Sequence, residues 1–164
     1  MKKKNREKER IIGTILFVLY VAFIIYFLIF SDWYGRGGEM SGYHYNLVPF
    51  KEIRRFWDYR EEVGIWTMIM NLFGNVLVFV PFGFFLPMAS RYRNFLSTVF
   101  WSFALSLGVE IFQLFSRLGS FDIDDIILNT LGGILGHILY AIYVAIRNTH
   151  DRNHKKKRRK RKKR

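Results

Sequence analysis

Cysteine is absent from the 164-residue chain, which removes disulfides, Cys-ligated zinc and thiol nucleophiles from consideration. Acidic residues are scarce, 13 against 26 Lys and Arg, so each acid in an apolar setting calls for a reason. Proline is limited to three residues; Pro81 with Gly83, and Pro87, are expected to bend or end the helix that contains them. No serine–histidine pairing, HExxH or other strong catalytic spacing occurs.

What is abundant is apolar sequence in blocks. Residues 11–30, IIGTILFVLYVAFIIYFLIF, carry no ionisable group except Tyr20 and Tyr26, and reach about 30 Å as a helix, the thickness of a bilayer's hydrocarbon layer. The blocks at about 66–87, 95–115 and 126–146 have similar lengths. Hydrocarbon offers no water to backbone N–H and C=O groups, so such segments must be helical. The expected fold is therefore all-α: an integral membrane bundle of four transmembrane helices over 11–146. The first block is longer than a signal-peptide core, and SDWYGRGG after it lacks a small-x-small cleavage site, so it is read as an uncleaved anchor.

Charge placement orients the bundle. The basic segment 1–10 carries six Lys or Arg, the 89–94 connection carries Arg91 and Arg93, and the tail from Arg147 carries twelve. The 31–65 connection has five basic and six acidic residues, and 116–125 sets Arg117 against three aspartates. The positive-inside rule then places both termini in the cytoplasm. The segment 147–164, ending HKKKRRKRKKR, is expected to be disordered by self-repulsion. Beside the inner leaflet it is expected to hold anionic lipids, with a plain topology signal as the alternative; no nucleic acid partner is expected. The stretch PFKEIRRFWDYREE (49–62) places Phe50, Ile53 and Trp57 at helical spacing, which predicts a short helix in the outer interface, with Trp33, Tyr34 and Trp66 forming an aromatic belt.

Glu110 sits inside the third block, where an acid costs about 2.5 to 3.5 kcal/mol unless it finds a partner or water. Gln113 and Arg117 share its face. Asn71 and Asn75 align on the second helix, and Asp122, Asp125, Asn129, Gly132, Gly133 and Gly136 follow helical spacing on the fourth. The third helix runs opposite to the second and fourth, and Glu110 lies about 7 Å beyond its midpoint. These groups therefore fall at one depth and predict a polar pocket opening toward the outer leaflet. Taken singly, Asp122 and Asp125 also suit helix capping, and the asparagines suit interhelical hydrogen bonding. Small-residue spacings at Ala104/Gly108 and Gly132/Gly136 predict close helix contacts, and His137 is read as a satisfied core histidine. Asp124 points away from Asp122 and Asp125 at helical spacing, so no metal site is expected, and no cofactor is implied.

The ordered set NLVPF (46–50), N-x-x-x-N with FVPFGFFLP (79–87), E-x-x-Q-x-x-x-R (110–117) and D-x-x-D-x-x-x-N-x-x-G-G-x-x-G (122–136) resembles the VanZ-like family of bacterial membrane proteins. The resemblance covers about 46–140. It implies a multi-pass protein of the bacterial plasma membrane associated with resistance to teicoplanin-type glycopeptides. It also implies that Asn75, Glu110, Gln113, Arg117, Asp122, Asp125 and Asn129 are its recurrent polar positions. The first functional expectation is a pocket that holds an envelope lipid headgroup or cell-wall precursor. The alternatives are an enzyme on lipid-linked substrates, with Glu110 as acid or base, and a small transporter or flippase. Whether any reaction is catalysed, and whether the chain forms oligomers, stays open at this level.

Overall fold

The computed structural model describes residues 2–30, 44–91, 93–117 and 119–161. Among these residues six helices and two short strands follow in order: α1 (Lys2–Phe30), β1 (Tyr45–Asn46), α2 (Lys51–Asp58), α3 (Arg60–Val63), α4 (Ile65–Ala89), α5 (Phe95–Ser116), β2 (Phe121–Asp122) and α6 (Ile123–Arg161). The segments Met68–Ala89, Phe95–Ser116 and Ile123–His150 are long and apolar enough to cross a membrane. The apolar part of α1 among the described residues, Arg10–Ile24, is shorter. The protein is a helical membrane bundle. Trp33 and Tyr34 lie outside the described residues, whereas Trp66 is exposed near the start of α4.

Helix direction follows from the contacts. Phe17 meets Phe82 at 5.5 Å between ring centroids, and Tyr20 donates a hydrogen bond to the Val78 carbonyl. Toward the other end of α1, Thr14 Oγ1 reaches the Ala89 carbonyl at 3.4 Å, so α1 and α4 are antiparallel. The helices α4 and α6 run parallel and very close. A Cβ added to Gly132 would lie 2.1 Å from the Val76 carbonyl oxygen, one on Gly136 2.1 Å from that of Val80, and one on Gly83 1.9 Å from that of Gly133. Only hydrogen fits there. Lipid tails give helices no hydrophobic reason to associate, so such backbone approach supplies the dispersion contact that holds them together.

Antiparallel α5 meets α6 through a polar file. Thr98, Ser102, Ser106 and Glu110 are the buried residues of α5, one every fourth position. Thr98 Oγ1 bonds His137 Nδ1 at 2.8 Å, Ser102 abuts Gly133, and Asn129 Nδ2 donates to Ser106 Oγ at 3.0 Å. Each step of four along α5 matches a step of four back along α6. His137 is thus a satisfied interhelical residue, as its sequence context suggested.

Three expectations are corrected. Helix α4 does not end at its prolines: it continues through Pro81 and Pro87 to Ala89, because neighbouring helices can satisfy backbone groups that proline frees. Gly108 is not a close contact, since nothing lies within 4 Å of where its Cβ would be. The segment from 147, expected to be disordered, continues α6 as far as Arg161. Lys and Arg are good helix formers, and an existing span removes the nucleation cost, so elongation prevails over charge repulsion.

Glycine substitution separates contact from context. Gly136→Ala is expected to destabilise the bundle by about 1 to 3 kcal/mol by overpacking against α4. Gly108→Ala, in open space, is expected to stabilise it by up to about 1 kcal/mol through helix propensity. Unfolding curves of the purified protein check both signs.

Candidate functional site

The site begins with a helix that cannot cap itself. At the start of α2, Phe50 occupies the N-cap with φ 63° and offers no side-chain acceptor. A bulky residue in the left-handed region is costly, and the first N–H groups of a helix lack intrahelical partners. Asp124, from the first turn of α6, supplies what is missing. Its carboxylate accepts the N–H groups of Phe50, Glu52 at 2.8 Å and Ile53 at 3.3 Å. Asp124 is 1% exposed, and three N–H donors make its burial tolerable.

A parallel strand pair fixes the same connection from its other side. Tyr45 pairs with Phe121 and Asn46 with Asp122, and the Phe121 N–H donates to the His44 carbonyl at 3.1 Å. Asn46 Nδ2 donates to Asp122 Oδ1 at 3.1 Å, and the same oxygen accepts the Asp124 N–H at 2.8 Å. Glu110, 2% exposed, reaches up from α5 and accepts the Asp122 N–H at 2.8 Å. Asn75 of α4 donates to Asp125. Asp122 and Asp125 are both near enough to Glu110 to act on its charge. Four acids thus gather around the passage from α5 into α6, each tied to an amide or backbone N–H.

The residues expected to form the pocket therefore divide. Asn75, Glu110, Asp122 and Asp125 come together. Asn129 lies deeper, bonded to Ser106 one turn from Glu110. Asn71 is half-buried one turn beyond Asn75, and Gln113 is half-buried against Gly119, where an added Cβ would lie 3.4 Å from it. Arg117 is exposed at the end of α5, with φ 56°. Asp124 and Asn46 are the members that sequence spacing missed. Asp124 does point away from Asp122 and Asp125, as its register required, but it points at α2. The available signal was the absence of Ser, Thr, Asp or Asn before Lys51, which leaves a helix start in need of an outside acceptor. Among the described residues no group of three or more His, Asp or Glu is arranged to hold a metal ion.

Burial raises the Asp122 carboxyl above its ordinary 3.8; the Asp124 charge adds to the rise, while the Asp124 N–H, the Asn46 amide and Arg55 oppose it. A carboxyl raised in the folded state favours folding while protonated, so its contribution is full below pH 3.8 and fades as pH climbs through the raised value. Asp122→Asn keeps an Oδ1 acceptor for both bonds but cannot ionise. The variant is expected to lose this part of the pH dependence and to melt higher than the parent near neutrality, in melts between pH 4 and 7. By contrast Asp124→Ala removes the two oxygens that accept three N–H bonds and is expected to cost about 2 to 4 kcal/mol. Amide exchange at residues 50–53 should accelerate at least about tenfold, since 1.4 kcal/mol is already one decade.

The VanZ/LLP1 family profile matches residues 17–144. A relative, Protein VanZ of Enterococcus faecium, is 32% identical over 136 residues, which span 81% of this chain and 76% of that protein. No solved structure matches the chain. The matched region takes in the capped α2, the strand pair and the acid cluster together, and the chain belongs to the VanZ/LLP1 family.

Proposed function

We propose that this chain is a four-span protein of the bacterial plasma membrane, with both termini cytoplasmic, whose outer face binds an envelope lipid headgroup or cell-wall precursor. In that role it limits the action of teicoplanin-type glycopeptides, the association carried by its family. The supporting observation is the hood: α2, fastened by Asp124 over the acid cluster. Beside the hood lies a groove of about 620 Å³ lined by Val48, Pro49, Phe50, Lys51, Arg54, Arg55, Asp58 and Tyr59.

The groove has the two-sided chemistry of an amphiphile. Phe50, held at positive φ by Asp124, is 60% exposed at its edge. Residues held in sparsely populated backbone regions cluster at functional sites, and this one displays its ring outward. Arg55 is tied to Glu52 at 2.6 Å, whereas Lys51 and Arg54 have no side-chain partner among the described residues. Buried acids thus serve as the frame, and exposed cations with aromatic edges meet the ligand.

Susceptibility to teicoplanin in a sensitive strain tests this reading. Lys51→Gln with Arg54→Gln, on the groove wall and at abundance matched to the parent, is expected to lose most of its protection; protection equal to the parent's rejects the reading. An enzyme is the second reading, favoured by the approach of Glu110, Asp122 and Asp125. It predicts altered membrane lipids or wall precursors, read by mass spectrometry, in expressing cells and not in cells carrying Glu110→Gln.

A further inference from the structure

At the opposite end of the bundle α6 does not stop where its apolar sequence does. Ile146 is its last aliphatic residue, yet the helix runs on to Arg161, and Thr149 Oγ1 bonds back to the Ala145 carbonyl at 3.0 Å across the boundary. Asn148, Thr149, His150 and Arg152 are all exposed, so the helix is clear of its neighbours on most sides within two turns of Ile146. Residues 148–161 include no aliphatic residue and no Phe, Trp or Tyr. A helix that lies along a bilayer buries an apolar face at the headgroup boundary, and this one has none to bury. Sharp kinks occur mostly at proline, glycine or π-bulges; neither proline nor glycine follows Gly136, and α6 is α-helical throughout. The extension therefore leaves the membrane along the line of the span.

Distance then decides the partner. Lys155 stands about 13 Å along the helix from Ile146, whereas the headgroup zone of one leaflet is about 5 to 8 Å deep. Residues 155–161, beyond that zone, are seven consecutive Lys or Arg, which amounts to one positive charge for about 1.5 Å of axis. Duplex nucleic acid carries one negative charge for about 1.7 Å, and neutralising its phosphates releases the counterions condensed on it. The two line densities match. We propose that the α6 extension binds the phosphate backbone of nucleic acid, without regard to base sequence. Composition alone points to anionic lipids, which suit a disordered segment free to spread over them; a helix that continues the span holds the basic run beyond them. The proposal rests on the cytoplasmic placement of both termini given above and is independent of the hood.

A short labelled DNA duplex, titrated with the full chain in nanodiscs and read by fluorescence anisotropy, provides the test. Both faces of a nanodisc are open, so a failure to bind is separate from a failure of the proposed orientation. In phosphatidylcholine nanodiscs at about 0.15 M salt the Kd is expected between about 1 and 100 µM. The binding constant should fall with a log–log salt slope of about −4, as four to five neutralised phosphates require. Lys157→Gln with Arg159→Gln and Arg161→Gln should flatten that slope by about 1 to 2. Exchanging half of the phosphatidylcholine for phosphatidylglycerol is expected to weaken binding by less than about fivefold, because most of the run stands a Debye length or more from the charged surface. Asn148→Gly with Thr149→Gly loosens the helix where it leaves the membrane. That variant should bind as the parent does in phosphatidylcholine but at least about tenfold more weakly in the mixed lipid, where the freed segment settles on the headgroups. Parent binding that collapses in the mixed lipid as fully as the glycine variant's overturns the proposal in favour of a lipid partner. Polyglutamate that displaces the duplex at an equal concentration of charge overturns it in favour of an acidic protein, and absence of saturable duplex binding overturns it outright.

Discussion

Everything at the hooded end of this protein depends on a carboxylate in an apolar bundle finding a backbone donor. Glu110 accepts the Asp122 amide, and that one bond sets the height at which the chain leaves α5, pairs as β2 and turns into α6. With Asp122 placed, Asp124 follows two residues on and can reach the start of α2. The cost of burying charge thus becomes positional information: an acid that tolerates hydrocarbon only when bonded specifies where its donor must be. The 31–65 connection is docked at its C-terminal part by this chain of consequences, with little apolar burial of its own.

The two helix contacts beneath it use different physics. Between α4 and α6, glycine removes side chains so that carbonyl oxygens rest on α-carbons. Between α5 and α6, hydroxyl, amide and imidazole groups meet every fourth residue. Ser102 is where the two converge: it is fully buried, without a hydrogen-bond partner among the described residues, and pressed on Gly133. There, small size prevails over hydrogen bonding, since a larger side chain would push α5 away and stretch the Thr98–His137 and Ser106–Asn129 bonds on either side.

Much of this was legible in the sequence because lipid leaves few alternatives. Apolar blocks of bilayer length located α4, α5 and the membrane part of α6, and depth arithmetic brought Asn75, Glu110, Asp122 and Asp125 together. Depth and facing cannot reveal which atoms bond, however. Asn129 fell to Ser106, and Arg117 stayed exposed, because each is settled by side-chain reach rather than by register. Asp124 was hidden for another reason: its partner is an uncapped helix start more than seventy residues earlier, and one-helix periodicity carries no trace of it. The helical course of residues 147–161 was masked by composition, since a run of like charge reads as disorder when taken apart from the span that templates it.

That unbroken α6 changes what the basic end can do. From Ile146 to Arg161 a helix advances about 22 Å, well over two screening lengths of about 8 Å. A floppy polycation would collapse onto the nearest headgroups, whereas a stiff one stands away and presents its outermost turns to whatever lies beyond the surface. Stiffness also makes it a lever: each 10° of tilt at the membrane would swing the tip by about 4 Å. Rearrangement among the spans would thus be broadcast as displacement on the far side.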